Sequence, residues 1–165
     1  MLSKMILRWA ERRAPDFVIG GASSPYLERH WLLPRNPLFN VYVHKFLRSD
    51  DDRALHDHPW LFNCSVLLKG RYVEHTARGA YLRNAGDWKF RWGPALHRVA
   101  LVKTAFQWKD GLPVSVAGVE CPCWTVFVTG PRVREWGFLC MRGWVHWREF
   151  TSTADKGAIG KGCAE

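Results

Sequence analysis

The chain has 165 residues, a length that suits one domain with one sizeable hydrophobic core. Its hydrophobic content of 47% is ordinary for a soluble globular protein, and no stretch reaches the ~20 apolar residues that a transmembrane helix needs. The formal net charge of +9 favours anionic small molecules as ligands. Because the basic residues are scattered along the chain, nucleic-acid binding is only a minor alternative.

The first element predicted along the chain is a short amphipathic helix over residues 2–13. Its apolar side chains recur at helical spacing, and basic side chains occupy the positions between them. Pro15 ends the helix, and a loop rich in glycine, serine and proline follows over residues 16–25. We expect this helix to cap one end of a β-barrel, and a helix that binds a membrane surface or a partner is the alternative.

Short strands dominate the rest of the chain, and glycine, proline and asparagine turns separate many of them. The predicted strands are 27–33, 39–48, 63–69, 71–76, 80–83, 87–92, 96–103, 123–129, 135–140 and 144–149. About ten short strands without strand–helix alternation indicate an all-β barrel or sandwich. We therefore divide the chain into an N-terminal helix and loop (1–24), one β domain (25–150) and a polar, disordered tail (151–165).

The five cysteines predict the redox compartment. They are Cys64, Cys121, Cys123, Cys140 and Cys163. An odd count, at a chain start that lacks a signal peptide's apolar core, indicates a reduced and cytoplasmic protein. Cys121, Cys123 and Cys140 with His146 match no structural zinc pattern, so ordinary buried thiols are expected. Cys163 in the tail is expected to be an exposed thiol.

Three histidines carry the strongest functional signal. His56 and His58 are separated by one residue, and His97 follows later in the chain behind its own glycine turn. On a strand, positions i and i+2 point to the same side, so His56 and His58 share one face and Asp57 points away. Imidazole suits zinc, copper, iron and nickel, and three ligands leave positions open for water, oxygen or substrate. The pattern predicts a mononuclear metal site.

The spacing of these residues resembles the two motifs of the cupin superfamily over roughly residues 38–130. The first motif has two histidines one residue apart, then an acidic residue and a glycine, and the second runs from a glycine to a histidine. The matching positions are His56, His58, Asn63 and Gly70 in the first motif, and Gly86 and His97 in the second. The resemblance implies a single-domain double-stranded β-helix, which is a jelly-roll barrel, and a homodimer formed through edge strands.

Asn63 stands where most cupins carry a glutamate, and an amide is a weaker ligand for a hard dication than a carboxylate. It is a candidate metal ligand, a substrate contact or a residue that orders a water. Thiol dioxygenases of the superfamily use three neutral histidines and lack the glutamate, and segments 55–58 and 67–70 look like their corresponding stretch. This resemblance implies Fe(II) as the favoured metal, although the imidazole ligands also admit zinc, nickel or manganese.

Strand alternation nominates residues that line the pocket. If Asn63 faces inward, Ser65 does too, and it becomes a candidate for substrate binding. Tyr42 is a second such candidate, and His44 on the same strand is a candidate catalytic base, with a histidine of the pocket wall as the alternative. Arg71 is expected near the rim, where it would meet the carboxylate of a substrate, with ordinary surface placement as the alternative.

Three further features complete the prediction of the site. Val99 and Leu101 are expected to follow His97 inward. The acidic run over residues 50–52 indicates a solvated turn, with a cation site as the alternative. The segment 130–138 looks like a family signature, but its residue types suggest no chemistry of their own.

Three classes of function remain open. The first is a metal-dependent cupin enzyme, most simply an iron-dependent oxygenase or dioxygenase acting on a small anionic substrate. The second is a metal-dependent isomerase, epimerase or lyase for a sugar or keto acid, which needs a general base near pH 7. The third is a non-catalytic cupin that binds a small molecule. None of the three involves a membrane.

Overall fold

The computed structural model describes residues 1–20, 24–50, 54–152 and 158–163. Within these ranges the chain forms two helices, α1 (Leu2–Glu11) and α2 (Trp147–Phe150). Neither described helix has the length and hydropathy to cross a membrane. The strands are β1 (Phe17–Ile19), β2 (Leu27–Trp31), β3 (Asn40–Phe46), β4 (Leu55–His56), β5 (Phe62–Lys69), β6 (Arg71–Thr76), β7 (Gly79–Asn84), β8 (Trp88–Trp92), β9 (His97–Leu101), β10 (Lys103–Lys109), β11 (Leu112–Glu120), β12 (Cys123–Thr129), β13 (Gly137–Cys140) and β14 (Gly143–His146).

Two six-stranded antiparallel sheets make up most of the structure. The first sheet has the strand order β1-β2-β3-β12-β5-β8, and the second has the order β14-β13-β4-β9-β6-β7. The prediction of an all-β fold with one short N-terminal helix is confirmed. The expected barrel is open, because the two sheets are separate and do not close on each other through strand pairing.

The main core lies between the two sheets. Leu67 and Cys123 from the first sheet pack against Tyr72, Val99 and Leu101 from the second. Each of these side chains is buried, because alternate residues of a strand point to the same face. The predicted inward orientation of Val99 and Leu101 is therefore confirmed.

Gly70 shows why the turn between β5 and β6 needs a glycine. Its φ of 87° lies in the left-handed region, which costs a residue with a side chain more than it costs glycine. A Cβ at this position would also come within 2.9 Å of the Pro122 carbonyl oxygen and the Cys123 Cβ. The turn therefore folds tightly over the start of β12.

Helix α1 covers the outer face of the first sheet. Ile6, Leu7 and Ala10 pack against Val43 of β3 and Trp124 of β12. The expectation that this helix caps one end of the fold was wrong. Side chains on the outer face of the central strands are apolar, and α1 buries them.

The β10–β11 hairpin stands outside both sheets. Neither strand was predicted, although the chain carries an Asp-Gly turn signal at Asp110 and Gly111. Both turn residues have positive φ, 50° for Asp110 and 79° for Gly111, as a tight hairpin turn requires. The short strand β1 was also missed, because three residues give too little alternation to detect. A strand was expected to carry both His56 and His58, whereas β4 ends at His56 and His58 lies in the loop that follows.

The C-terminal segment folds back onto the second sheet. Phe150 of α2 stacks on Phe138 with ring centroids 3.7 Å apart, and the amide groups of Gly160 and Gly162 donate to its carbonyl oxygen. Thr151 forms a β-bridge with Ile159. Residues 158–163 of the predicted tail are thus packed against the domain, whereas residues 153–157 and 164–165 lie outside the described residues.

Cys140 and Cys163 form a disulfide. The prediction that Cys163 is an exposed unpaired thiol, with all five cysteines reduced, was therefore wrong. The sequence offered no signal for the pairing, because the partner lies 23 residues away and only the folded C-terminal segment brings the two sulfur atoms together.

The remaining cysteines should react with a thiol reagent in two classes. In protein purified without reductant, we expect Cys64 and Cys121 to react in the native state, because both are partly exposed. Cys123 should react only after unfolding, because burial raises the pKa of its thiol to about 12. Counting thiols in native and denatured samples checks this, and five reactive thiols in denaturant would contradict the disulfide.

Candidate metal centre and cavity

His56, His58 and His97 meet at one place in the structure. His56 of β4 and His97 of β9 are direct register partners, and His58 follows two residues after His56. The ring centroids are 5.2 Å apart for 56–58, 5.0 Å for 56–97 and 5.1 Å for 58–97. One nitrogen from each ring can be chosen so that all three lie within 4.8 Å of one another. We call this cluster the histidine triad.

Two ring nitrogens of the triad lie close enough together to share a cation. The Nε2 atoms of His58 and His97 are 2.8 Å apart, a distance at which two ring nitrogens share either a proton or a cation. Two nitrogens that bind one ion at ~2.1 Å and at right angles lie ~3 Å apart, so the spacing fits a metal. Burial holds the pKa of both rings well below 6.5, so their lone pairs are not protonated at neutral pH.

Glu74 lies behind His97 and is completely buried. Its Oε1 is 3.7 Å from Nδ1 of His97, which has no hydrogen-bond partner among the described residues. Arg83 donates to Oε2 from Nε at 2.9 Å and from Nη2 at 2.7 Å, and Arg91 donates to Oε1 from Nε at 2.9 Å and also from Nη2. Burial opposes ionisation of Glu74, but the two guanidinium groups outweigh it and lower the pKa of the carboxyl.

Asp50 faces the outer nitrogen of His56. Its Oδ2 accepts a hydrogen bond from the Val99 amide at 2.7 Å and lies 3.9 Å from Nδ1 of His56. Asp50 is therefore part of the wall behind the histidine triad, and not the solvated turn that was predicted. Residues 51 and 52 of the same acidic run lie outside the described residues.

Asp57 points away from the histidine triad, as predicted, and holds the loop that carries it. Its carboxylate accepts hydrogen bonds from the Gly137 amide at 2.7 Å, from Nη1 of Arg134 at 2.7 Å and from Nε1 of Trp144 at 3.2 Å. Arg134 also donates to the carbonyl oxygen of His58 at 3.2 Å. The segment 130–138 thus acquires a role, because it fixes the backbone on which two of the three histidines stand.

Gly93 supports the same loop from the other side. Its carbonyl oxygen accepts from the His58 amide at 2.9 Å, and its own amide donates to the Leu61 carbonyl oxygen at 3.0 Å. A Cβ at this position would clash with the carbonyl oxygen of Trp60. The Trp-Gly-Pro turn therefore lets β8 pass close to the loop that presents His58.

The histidine triad opens into a cavity of about 570 Å³ between the two sheets. Both sheets and the C-terminal segment contribute to its wall. Aromatic side chains are prominent in the lining and include Phe17, Phe46, Trp60, Phe127, Trp136 and Trp147. A largely apolar cavity with a few convergent polar groups is the usual form of a small-molecule site.

The predicted pocket residues take different places. Ser65 lines the cavity. Asn63 and Tyr42 are buried but lie outside its lining, and neither side-chain atom of Asn63 has a hydrogen-bond partner among the described residues. Arg71 is exposed and also lies outside the lining, because alternation along β6 turns Tyr72 inward and Arg71 outward.

His44 lines the cavity between two aromatic rings. Its centroid is 5.7 Å from Tyr42 and 5.0 Å from Phe127, and both ring pairs are stacked. Its Nε2 accepts a hydrogen bond from Nε of Arg29 at 2.9 Å. Burial, followed by the charge of Arg29, holds the pKa of His44 well below 6.5. The lone pair that a general base would use is thus engaged by Arg29.

Sequence reasoning missed Glu74, Arg91 and Arg29. The alternation along β6 placed Glu74 on the same face as Tyr72, and this was the one signal available for it. Arg91 and Arg29 gave none, because a basic residue on a strand is usually solvent-exposed.

No protein-family model matches the chain, and no curated protein matches it. Solved structures similar to it include a protein with a double-stranded β-helix domain from Klebsiella pneumoniae, at 18% identity and a TM-score of 0.46, covering 68% of this chain and 83% of that one. KdgF from Halomonas sp. has 13% identity and a TM-score of 0.46, with 66% and 81% covered.

A cupin superfamily protein from Desulfitobacterium hafniense has 9% identity and a TM-score of 0.45, with 64% of this chain and 77% of that one covered. The identities are all low. Among these structures, the Klebsiella protein has a double-stranded β-helix domain and the Desulfitobacterium protein belongs to the cupin superfamily.

Proposed function

We propose that this chain is a mononuclear metal-dependent enzyme of the cupin type, in which His56, His58 and His97 hold one divalent transition metal. The observation that carries the proposal is the convergence of three imidazoles at one end of a cavity, His97 buried and His56 and His58 partly buried, with two Nε2 atoms 2.8 Å apart. The low pKa of His58 and His97 supports it, because a metal ligand must be deprotonated.

The metal supplies a Lewis-acid centre, and Fe(II) would add oxygen chemistry. The chain's own residues have three tasks. Glu74 lies behind His97 and Asp50 behind His56, with a carboxylate oxygen 3.7 Å and 3.9 Å from the Nδ1 atom of the respective ring, and each adds negative charge beside that ring. The aromatic lining excludes water from the cavity. Three neutral ligands leave the dipositive charge uncompensated, which favours an anionic substrate.

We favour an iron-dependent oxygenase over an isomerase, epimerase or lyase. The alternative needs a general base near pH 7 in the cavity. His44 was the candidate, but its Nε2 accepts from Arg29 and burial keeps its pKa well below 6.5. An oxygenase with three neutral ligands needs no such base from the protein. Asn63 stays a candidate ligand or a residue that orders a water.

Metal analysis of protein purified without chelator tests the proposal. We expect about one transition-metal ion per chain, with iron in excess over zinc, nickel and manganese. His58→Ala and His97→Ala should each lose the metal, because two imidazoles hold a divalent ion far more weakly than three. His75→Ala is the matched control, since His75 also lies in the second sheet but does not line the cavity.

The outcomes separate the three function classes. Oxygen uptake triggered by a carboxylate ligand would support the oxygenase, whereas anaerobic turnover would favour an isomerase or lyase. Protein that holds the metal but shows neither reaction would indicate a binding protein. Protein that holds no metal, even after reconstitution with Fe(II) under argon, would refute the proposal.

A further inference from the structure

Arg29 on β2 reaches the cavity from the first sheet. Two contacts fix the orientation of its side chain. Nε donates to Nε2 of His44 at 2.9 Å, and the guanidinium carbon lies 4.7 Å from the centroid of the Tyr42 ring. His44 and Tyr42 therefore hold the plane of the guanidinium group and engage one edge of it.

The charge of Arg29 has no carboxylate partner among the residues that the structure describes. Other arginines near the site are paired: Arg83 and Arg91 with Glu74, and Arg134 with Asp57. Burial lowers the pKa of Arg29 to about 10, so the group is still a cation at neutral pH. An unpaired cation in a mostly apolar cavity is costly unless an anion joins it.

The surroundings of Arg29 indicate what kind of anion fits. The ring of Phe127 lies 5.0 Å from that of His44 and 5.9 Å from that of His58, so one aromatic side chain connects the Arg29 site to the histidine triad. Trp60 stacks on the ring of His58 at 5.5 Å. A ligand that joins these two places runs along the aromatic surface of Phe127.

We propose that Arg29 binds the carboxylate of a ligand with an aromatic or other apolar body, and that this body lies along Phe127 towards the histidine triad. A guanidinium group matches a carboxylate through two parallel hydrogen bonds, which is why arginine suits this task. That the ligand is a substrate rests on the proposed function, but its binding to Arg29 does not. Arg71, outside the cavity lining, is not part of this site.

Isothermal titration calorimetry with 3-phenylpropionate tests the proposal, and 3-phenylpropanamide serves as the neutral analogue. We expect wild-type protein to bind the carboxylate more tightly than the amide. Arg29→Gln should weaken carboxylate binding by about 10- to 100-fold and leave amide binding nearly unchanged, since a hydrogen bond to a charged group is worth that factor. Arg29→Lys keeps the positive charge but lacks the paired donors of a guanidinium group. Its affinity for the carboxylate should therefore lie between those of the wild type and Arg29→Gln. Arg71→Gln is the matched control and should bind like the wild type.

Three results would overturn the proposal. These are equal binding of carboxylate and amide by wild-type protein, equal losses for both ligands in Arg29→Gln, and a larger loss in Arg71→Gln than in Arg29→Gln. The titrations are run on both metal-depleted and reconstituted protein. Arg29-dependent binding in protein that never takes up metal would refute the proposed enzyme and keep this site. If the triad held metal and substitution of Arg29 left carboxylate binding unchanged, the proposed enzyme would stand and the Arg29 site would be refuted.

Discussion

Replacing Glu74 with glutamine should lower the free energy of unfolding by about 3–5 kcal/mol. Glu74 is completely buried, and its two oxygens accept hydrogen bonds from both Arg83 and Arg91. Glutamine keeps the shape of the side chain but leaves two guanidinium groups without a counter-charge, one of them almost fully buried. That loss is large against the ~5–15 kcal/mol by which domains of this size are stable.

Urea unfolding of metal-free protein measures this effect without a contribution from metal binding. Glu28→Gln is the matched control, because Glu28 pairs with Lys45 at 3.1 Å on the partly exposed face of the first sheet. We expect the control to change the free energy of unfolding by less than about 1 kcal/mol. Equal effects of the two substitutions would show that the pairs around Glu74 contribute no more than a surface ion pair.

The histidine triad could be predicted from the spacing of its residues. His56 ends β4, His58 follows two residues later in the loop, and His97 is the register partner of His56 on β9. The burial of Ser65 follows from the alternation along β5, whereas hydrogen bonds to the segment 130–138 and to Trp144 turn Asp57 away from the triad. Apart from the direction of Asp57, these features need only the period of a strand and the position of its turns.

The polar groups that complete the site could not be predicted in this way. Glu74 is buried because Arg83 and Arg91 reach it from two other strands, β7 and β8, and those strands belong to different sheets. Arg29 faces the cavity because His44 and Tyr42 hold it there. A single sequence records the residue types but not which distant strand supplies the compensating group.

The prediction of a disordered C-terminal tail was wrong for a related reason. Its composition is small and polar, which is typical of a disordered tail. In the structure residues 158–163 are held by backbone hydrogen bonds to Phe150 and by the Cys140–Cys163 disulfide. Backbone contacts and a covalent bond depend little on side-chain hydropathy, so a reading based on composition cannot detect them.

Replacing Asp57 with asparagine should weaken metal binding by about 10- to 100-fold, although Asp57 does not touch the triad. The carboxylate accepts from the Gly137 amide, Arg134 and Trp144, and together these contacts hold the backbone between His56 and His58. An amide presents one acceptor oxygen in place of two and carries no charge to balance Arg134. We expect the free energy of unfolding to fall as well, by about 2–3 kcal/mol, because hydrogen bonds to a charged group are lost.

Competition with a chromophoric chelator measures the metal affinity of this variant, and urea unfolding measures its stability. Asp87→Asn is the matched control: its carboxylate accepts one hydrogen bond, from the Asn84 amide at 2.9 Å, in an exposed turn remote from the triad. The control should keep the wild-type affinity. If Asp57→Asn lost stability but kept its metal affinity, the backbone hydrogen bonds of the loop, from Asp57 to Gly137 and from His58 to Gly93, would be sufficient to position it. Loss of affinity beyond the change in stability would show that a buried carboxylate pointing away from the metal still sets the geometry of its ligands.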